Sequence, residues 1–164
     1  MKSDPPEGQP FGRYRLLDCI GEGGMAIVYR AVTEGPQGFL RELVVKRIRA
    51  DLSRDDSFIS MLLAEARLCA LLKHPGIVQV HELGEVEGEY FIAMEYVRGR
   101  DLVALLRELA PTGVVPPGVG AYIGREVCRA LGYAHALSDD SGSPLRLIHR
   151  DVSPSNVMLG YDGS

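Results

Sequence analysis

Four side chains of this 164-residue chain stand out for the chemistry they allow: Lys46, Glu65, Asp151 and Asn156. Asp151 and Asn156 lie five residues apart in Ile148-His149-Arg150-Asp151-Val152-Ser153-Pro154-Ser155-Asn156. They flank one site only if the loop curls, and Pro154 favours the curl. A carboxylate in such a loop accepts a proton or a hydrogen bond from a substrate hydroxyl. A neutral amide oxygen beside it suits Mg²⁺. Taken in isolation, the segment reads better as a polar turn with a capping Asn.

Lys46 follows Leu43-Val44-Val45 and is one of three lysines against fifteen arginines. A lysine in an apolar strand either snorkels to solvent or points inward and needs a partner. Glu65 falls on a helical stripe with Phe58, Leu62, Cys69 and Leu72. A carboxylate within an apolar stripe is costly unless paired. A Lys46–Glu65 pair meets both needs. The alternative is a helix apolar on several faces, with Glu65 looking outward. The third element is Gly21-Glu22-Gly23-Gly24, which lies between two expected strands and opens no helix. That context argues against a dinucleotide fold. Glycines there either let backbone N–H groups approach phosphates or simply make a hairpin turn.

These residues need a frame. Strands are expected over 15–20, 26–32 and 42–48, then a helix from the Asp55-Asp56-Ser57 start signal to Leu72. Short extended pieces follow at 77–80 and 83–86, and a strand at 90–97. Asp101 caps a short helix through Leu109, and Pro116-Pro117 opens a longer one to about Leu137. Residues 138–144 read as a polar loop and 145–149 as extended. The pattern predicts an α+β fold with a strand-rich part carrying one helix, then a helical part, joined near Val97-Arg98-Gly99.

Composition bounds the rest. The 46% hydrophobic content is that of a globular protein, and a net charge of -4 gives no electrostatic footprint for nucleic acid. No apolar run reaches membrane-spanning length. Residues 1–10 lack a signal peptide's apolar core and read as a disordered tail, which makes the cytoplasm the default location. Cys19, Cys69 and Cys128 fit neither a metal-ligand nor a disulfide spacing, so buried, reduced thiols are expected.

Together these features resemble the protein kinase family, in its bacterial Ser/Thr-type branch. Gly21-Glu22-Gly23-Gly24-Met25-Ala26-Ile27-Val28 is similar to its glycine-rich loop. Leu43-Val44-Val45-Lys46 is similar to its third-strand lysine motif, Glu65 to its helix glutamate, and His149-Arg150-Asp151 through Asn156 to its catalytic loop. The resemblance implies a two-lobe fold, with the β-rich N-lobe over 11–97 and the opening part of the C-lobe over 98–164. It implies ATP and Mg²⁺ as cofactors, signalling by phosphoryl transfer, and a protein substrate with a Ser or Thr acceptor. Lys46 would hold the α- and β-phosphates, Glu65 would pair with it, Asp151 would act as base, and Asn156 would bind the metal. Ile20, Gly21, Gly23, Gly24, Val28, Val44 and Met158 would enclose the nucleotide. Met94 falls at the gatekeeper position, and Glu95-Tyr96-Val97 at the hinge that binds adenine. His149 would be structural, stacking with Cys69 and Val80.

The chain departs from the family pattern in places. Ala26 replaces the third loop glycine, Val44 the usual alanine, and Ser153 the usual catalytic-loop lysine. The Asp-Phe-Gly motif, expected about a dozen residues after Asn156, does not occur within the eight residues that follow it. The expectation is therefore a partial kinase domain with little activity by itself and an exposed apolar surface on the helix from Pro117. The alternative is a non-catalytic nucleotide-binding or regulatory module. Oligomeric state is left open.

Overall fold

The computed structural model of the chain describes residues 8–110, 113–139 and 141–164. They divide into two compact units. One comprises residues up to Leu72 with Val78–Tyr96, the other Lys73–Ile77 with Val97–Ser164.

The first unit is built on six antiparallel strands: β1 (Gln9–Phe11), β2 (Tyr14–Glu22), β3 (Ala26–Glu34), β4 (Leu40–Ile48), β5 (Val80–Val86) and β6 (Glu89–Met94). Their order in the sheet is β1-β2-β3-β4-β6-β5. Successive side chains of a strand point to opposite faces, and β4 is buried on both. Leu43 and Val45 join Phe11, Tyr14, Leu16, Ala31, Phe91 and Ala93 in one core, while Val44 and Ile48 are buried on the other face. Phe91 centres the first core, with Phe11 and Tyr14 each edge-on to it at 5.4 Å between ring centroids. Gly84 pairs with Phe91 across β5 and β6. A Cβ at Gly84 would meet the Phe91 ring at 2.6 Å, so the bare backbone there is what lets the ring lie across β5.

The first strand corrects an expectation. Gln9 and Pro10, assigned to the tail, pair with Leu16 and Arg15 in β1. An edge strand tolerates proline because one side of its ladder is unused. The remainder of the expected tail, residues 1–7, lies outside the described residues. Between β4 and β5 runs α1 (Asp56–Leu71), capped by Asp55, whose carboxylate accepts from the N–H groups of Ser57 and Phe58. These bonds satisfy two donors of the first turn, and they hold the Asp55 carboxyl below its usual range, the Ser57 hydroxyl contributing most. Its buried residues are Ile59 and Ala66, and it packs against β5.

The second unit contains β7 (Gly99–Asp101), α2 (Leu102–Leu109), α3 (Pro117–His135) and β8 (Met158–Gly160). Asp101 caps α2 through the Ala104 N–H at 2.8 Å. After α1 the chain returns to α3: the Lys73 N–H donates to Tyr133 Oη at 3.1 Å, and the His74 ring lies 5.2 Å from that of Tyr133. Along α3 only Ala130 is buried, and Val119 and Tyr122 are exposed, as the sequence leads one to expect. The segment 145–149 is not a strand; a bridge between Ser138 and Pro144 and the Leu145 N–H to the Leu137 carbonyl tie its start to the end of α3.

The cysteines also depart from expectation. All three are free, but Cys19 and Cys128 are exposed and Cys69 is half-buried. The β2–β3 register shifts on both sides of Cys19, so the residue falls outside the regular inward alternation. Among the described residues no helix is long and apolar enough to cross a membrane.

Candidate functional site

The first unit holds one set of the singled-out residues. In β4, Lys46 pairs with Val28 of β3 on one side and Ile92 of β6 on the other, and Val44 pairs with Met94. Cross-strand partners share a face, so Val28, Val44, Lys46, Ile92 and Met94 form one surface, opposite the aromatic core. Val44 and Ile92 are buried; Val28, Lys46 and Met94 are half-buried. This is an apolar platform with a single ammonium on it.

Lys46 and Glu65 are not joined by an ion pair, and Lys46 makes no side-chain hydrogen bond among the described residues. Glu65 is exposed. The buried positions of α1, 59 and 66, lie one residue away from the expected stripe, which places Glu65 at its solvent margin. The two charges nevertheless reach a common neighbour. Burial pushes the Cys69 thiol up, the Glu65 carboxylate adds to the effect, and the Lys46 ammonium opposes it.

The glycine segment closes β2 onto β3 through the Gly23 N–H to the Ala26 carbonyl at 2.9 Å. Gly21, Gly23 and Gly24 all avoid positive φ. A Cβ at Gly24 would meet nothing within 4 Å, and one at Gly23 only the Ala26 carbonyl oxygen at 3.9 Å. Neither the backbone conformation nor the packing of this fold requires glycine at these two positions. What glycine supplies there is open backbone that a bulky anion can approach. Ile20, just before, is exposed.

At the end of β6, Glu95 is fastened twice to Gln79, a residue the sequence reading passed over. The Glu95 N–H donates to the Gln79 carbonyl at 2.9 Å, and Glu95 Oε2 accepts from the Gln79 N–H at 3.2 Å. Val97, two residues on, is half-buried and opens the second unit's main segment.

That second unit holds Asp151, Asn156 and Met158. Asn156 Nδ2 donates to Asp151 Oδ2 at 2.8 Å and to the Asp151 carbonyl at 3.0 Å, so the loop curls and brings the two side chains together. The curl is a single 3-10 turn over Pro154–Asn156, closed by the Asn156 N–H to the Ser153 carbonyl at 3.0 Å. Before it, Arg150 adopts φ 63, a left-handed conformation uncommon outside glycine, and the Asp151 N–H donates to His149 Nδ1 at 3.3 Å. The loop's far end is anchored where β8 pairs with β7 and the Leu102 N–H donates to the Val157 carbonyl at 2.9 Å. Gly99 is obligatory here, since a Cβ would lie 2.0 Å from the Leu159 carbonyl oxygen. Met158, paired with Asp101, is exposed.

The donor set fits a hard cation carried in with a polyanion. Asn156 spends its amide nitrogen on Asp151, which leaves its carbonyl oxygen as a neutral ligand. Among the described residues no three His, Cys, Asp or Glu side chains converge. A cation at Asn156 would take its further ligands from phosphate oxygens and water, the usual manner of Mg²⁺.

Comparison with known proteins bears on this arrangement. The sequence model of the protein kinase domain matches residues 14–164. The chain is 42% identical over 156 residues to the tyrosine-protein kinase MasK of Myxococcus xanthus (strain DK1622), a match that covers 94% of this chain and 24% of MasK. It is 39% identical over 158 residues to the serine/threonine-protein kinase PknF of Mycobacterium tuberculosis (strain ATCC 25618 / H37Rv), covering 96% of this chain and 31% of PknF. The crystal structure of the Mycobacterium tuberculosis PknI kinase domain matches with a TM-score of 0.72 and 34% identity, over 96% of this chain and 59% of that one. The chain thus spans about a quarter to a third of these curated relatives' length.

Proposed function

The chain belongs to the protein kinase family, and from that premise we propose that it supplies the nucleotide-binding lobe and the catalytic loop of a MgATP-dependent protein kinase. The observation that carries the reading is the Asp151–Asn156 pair, joined at 2.8 Å within one curled loop. MgATP, when bound, supplies the phosphoryl group together with the metal that neutralises its charge. The protein's part is positioning and electrostatics.

Asn156 fixes Oδ2 of Asp151 and leaves Oδ1 without a hydrogen bond among the described residues. Oδ1 is the oxygen offered to the acceptor hydroxyl, which it orients and whose proton it receives. Lys46 contributes the ammonium for the α- and β-phosphates, and the open backbone at Gly23 and Gly24 lies over them. The platform of Val28 and Val44 takes the adenine ring, with Glu95-Tyr96-Val97 along its edge. Pairing of Glu65 with Lys46 requires Glu65 to swing in from the solvent margin of α1. The acceptor we assign is a Ser or Thr hydroxyl of a protein, as the name of PknF suggests; MasK is named for tyrosine. The cytoplasm, where ATP is abundant, is the compartment this reading requires.

The test is binding of a fluorescent ATP analogue with and without Mg²⁺. Lys46→Met should weaken binding about tenfold or more, the loss of a charge-assisted contact of roughly 1.5–3 kcal/mol. Unchanged affinity in that variant would remove Lys46 from the site. Asn156→Ala should abolish the Mg²⁺-dependent part of the affinity. Phosphoamino-acid analysis of a transfer product decides between Ser/Thr and Tyr acceptors.

A second reading, a nucleotide-binding regulatory module without catalysis, is favoured by one observation: Lys46 and Glu65 stand apart. Nucleotide binding with no transfer by Asp151-containing native protein, under conditions where Asp151→Asn behaves identically, would select it.

A further inference from the structure

Between Val80 and Glu82 the ladder of β5 slips. Val80 pairs with Met94 and Glu82 with Ala93, which leaves His81 as the extra residue of a β-bulge. An extra residue has no partner across the ladder, and a bulge re-aims its side chain. His81 Nε2 lies 2.9 Å from Nη2 of Arg41, near the start of β4. β4 and β5 are not neighbours, because β6 lies between them. The contact therefore bridges two strands beyond the end of β6, where the chain continues into Glu95 and its two bonds to Gln79.

A guanidinium only donates hydrogen bonds. Nε2 must therefore present a lone pair, and the imidazole in this contact is neutral with its proton on Nδ1. Protonation turns the acceptor into a donor and sets two cations against each other. The charged groups acting on the imidazole are Arg41 from β4 and Glu95 after β6; α1, packed on the same strand, contributes none. His81 is exposed, yet the hydration it loses beside the strands holds the imidazole below its ordinary value, Arg41 adds to the effect, and Glu95 opposes it.

We propose that His81 is a proton-operated clasp. Neutral, it ties β4 to β5 past the end of β6. Protonated, it releases Arg41 and turns to the Glu95 carboxylate, in competition with the Gln79 N–H. The clasp stands on the geometry of the first unit alone; its consequence for nucleotide rests on the reading of Glu95-Tyr96-Val97 as the adenine edge. The sign follows from linkage. A folded-state value below the ordinary one means that the unfolded chain binds the proton more tightly, so stability is full above about pH 6.5 and falls as pH drops through the lowered value.

The experiment uses the whole chain. The ring protons of His81 are titrated by NMR in the native protein and in Arg41→Gln, and urea midpoints are measured at about pH 7.5 and 5.5 in the native protein and in His81→Gln. Glutamine stays neutral and its amide oxygen still accepts from Arg41. The native His81 should titrate below its ordinary value and move up in Arg41→Gln. The native urea midpoint should fall between the two pH values by more than that of His81→Gln. An unmoved His81 titration in Arg41→Gln, or an undiminished pH dependence in His81→Gln, overturns the clasp. In a separate arm, affinity for the ATP analogue should fall more steeply at low pH in the native protein than in His81→Gln. Failure to bind nucleotide at either pH overturns the adenine reading and leaves the first two measurements to judge the clasp.

Discussion

The two units are held together by different means. Of the buried hydrophobic residues among those described, all but Ala130 belong to the sheet unit. The unit with the Asp151–Asn156 loop is instead tied by local hydrogen bonds: a short β7–β8 ladder, the Asp101 cap, the 3-10 turn and the Asn156–Asp151 pair. Burial is non-directional and tolerates small displacements, whereas hydrogen bonds fix particular atoms. The difference matches the two tasks proposed for them. A nucleotide platform needs a rigid apolar surface, and a loop that presents one carboxylate oxygen needs its backbone path set residue by residue.

The largest effect that sharpens this contrast is expected at Phe91. Its ring is 3% exposed and stacks edge-on with two others. Phe91→Ala should cost the sheet unit about 3–5 kcal/mol, the usual loss for emptying a buried aromatic site. Leu131→Ala, in half-buried α3 surroundings, should cost about 1 kcal/mol or less, because little apolar area is removed from contact. Urea denaturation of both variants checks the ratio. Equal losses would mean that the second unit has a core of comparable weight and would break the comparison.

Where the sequence was legible, a strong local pattern agreed with the tertiary outcome. The run Leu43-Val44-Val45 before Lys46 reads as a strand because three apolar residues in a row suit burial on both faces, and β4 is buried on both. Asp55-Asp56-Ser57 reads as a helix start and Asp101 as a cap, and Asp55 and Asp101 cap α1 and α2. The order of glycine turn, strand lysine, helix glutamate and Asp-to-Asn loop carried the family resemblance, which the match over residues 14–164 bears out. Where it was not legible, several local solutions were nearly degenerate. In α1, Phe58, Ile59, Met61, Leu62, Leu63, Ala66, Leu68 and Leu71 are apolar, so periodicity could not choose between adjacent stripes, and the one chosen carried Glu65 too far inward. The bulge at His81 broke β5 into two apparent pieces, since one inserted residue reverses the alternation that marks a strand. Arg150 in a left-handed conformation has no signal in residue type at all.

A pair of glycine variants tests the two modes of construction on equal terms. Gly84→Ala places a methyl against the Phe91 ring, the far end of a side chain that can shift, and should cost about 1–3 kcal/mol with the sheet intact. Gly99→Ala places it against the Leu159 carbonyl and the Gly160 backbone, neither of which can turn aside. It should break the β7–β8 ladder and loosen the Asp151–Asn156 loop, with a global stability change no larger than that of Gly84→Ala. Amide exchange separates the outcomes: fast exchange in Gly99→Ala at Leu102 and at Tyr161, whose N–H donates to the Arg98 carbonyl at 2.9 Å, with Phe91 and Val45 still protected. Loss of protection throughout the sheet in Gly99→Ala would show that the two units do not differ in the way their buried residues indicate.

The smallest effect concerns charge within the burial-dominated unit. Arg47 and Glu89 form an ion pair across β4 and β6 in which both side chains are mostly buried, and the Arg47 guanidinium also lies over the Phe11 ring at 5.3 Å. The hydrogen bond from Arg47 holds the Glu89 carboxyl below its usual range, against the opposing effect of burial. A depressed carboxyl contributes stability above the unfolded value near 4.5 and loses it as pH falls through the folded one. The sheet unit should therefore weaken on acidification below about pH 4.5, by under about 1 kcal/mol for this pair. Glu89→Gln removes that acid-dependent loss and leaves a shallower slope, while keeping a hydrogen bond to Arg47. A slope unchanged in Glu89→Gln would assign the acid response to Asp55 at the start of α1, whose carboxyl is lowered by the Ser57 hydroxyl and the N–H groups of the first turn. In that case the sheet unit would answer to pH through a hydrogen-bonded cap and not through its buried ion pair.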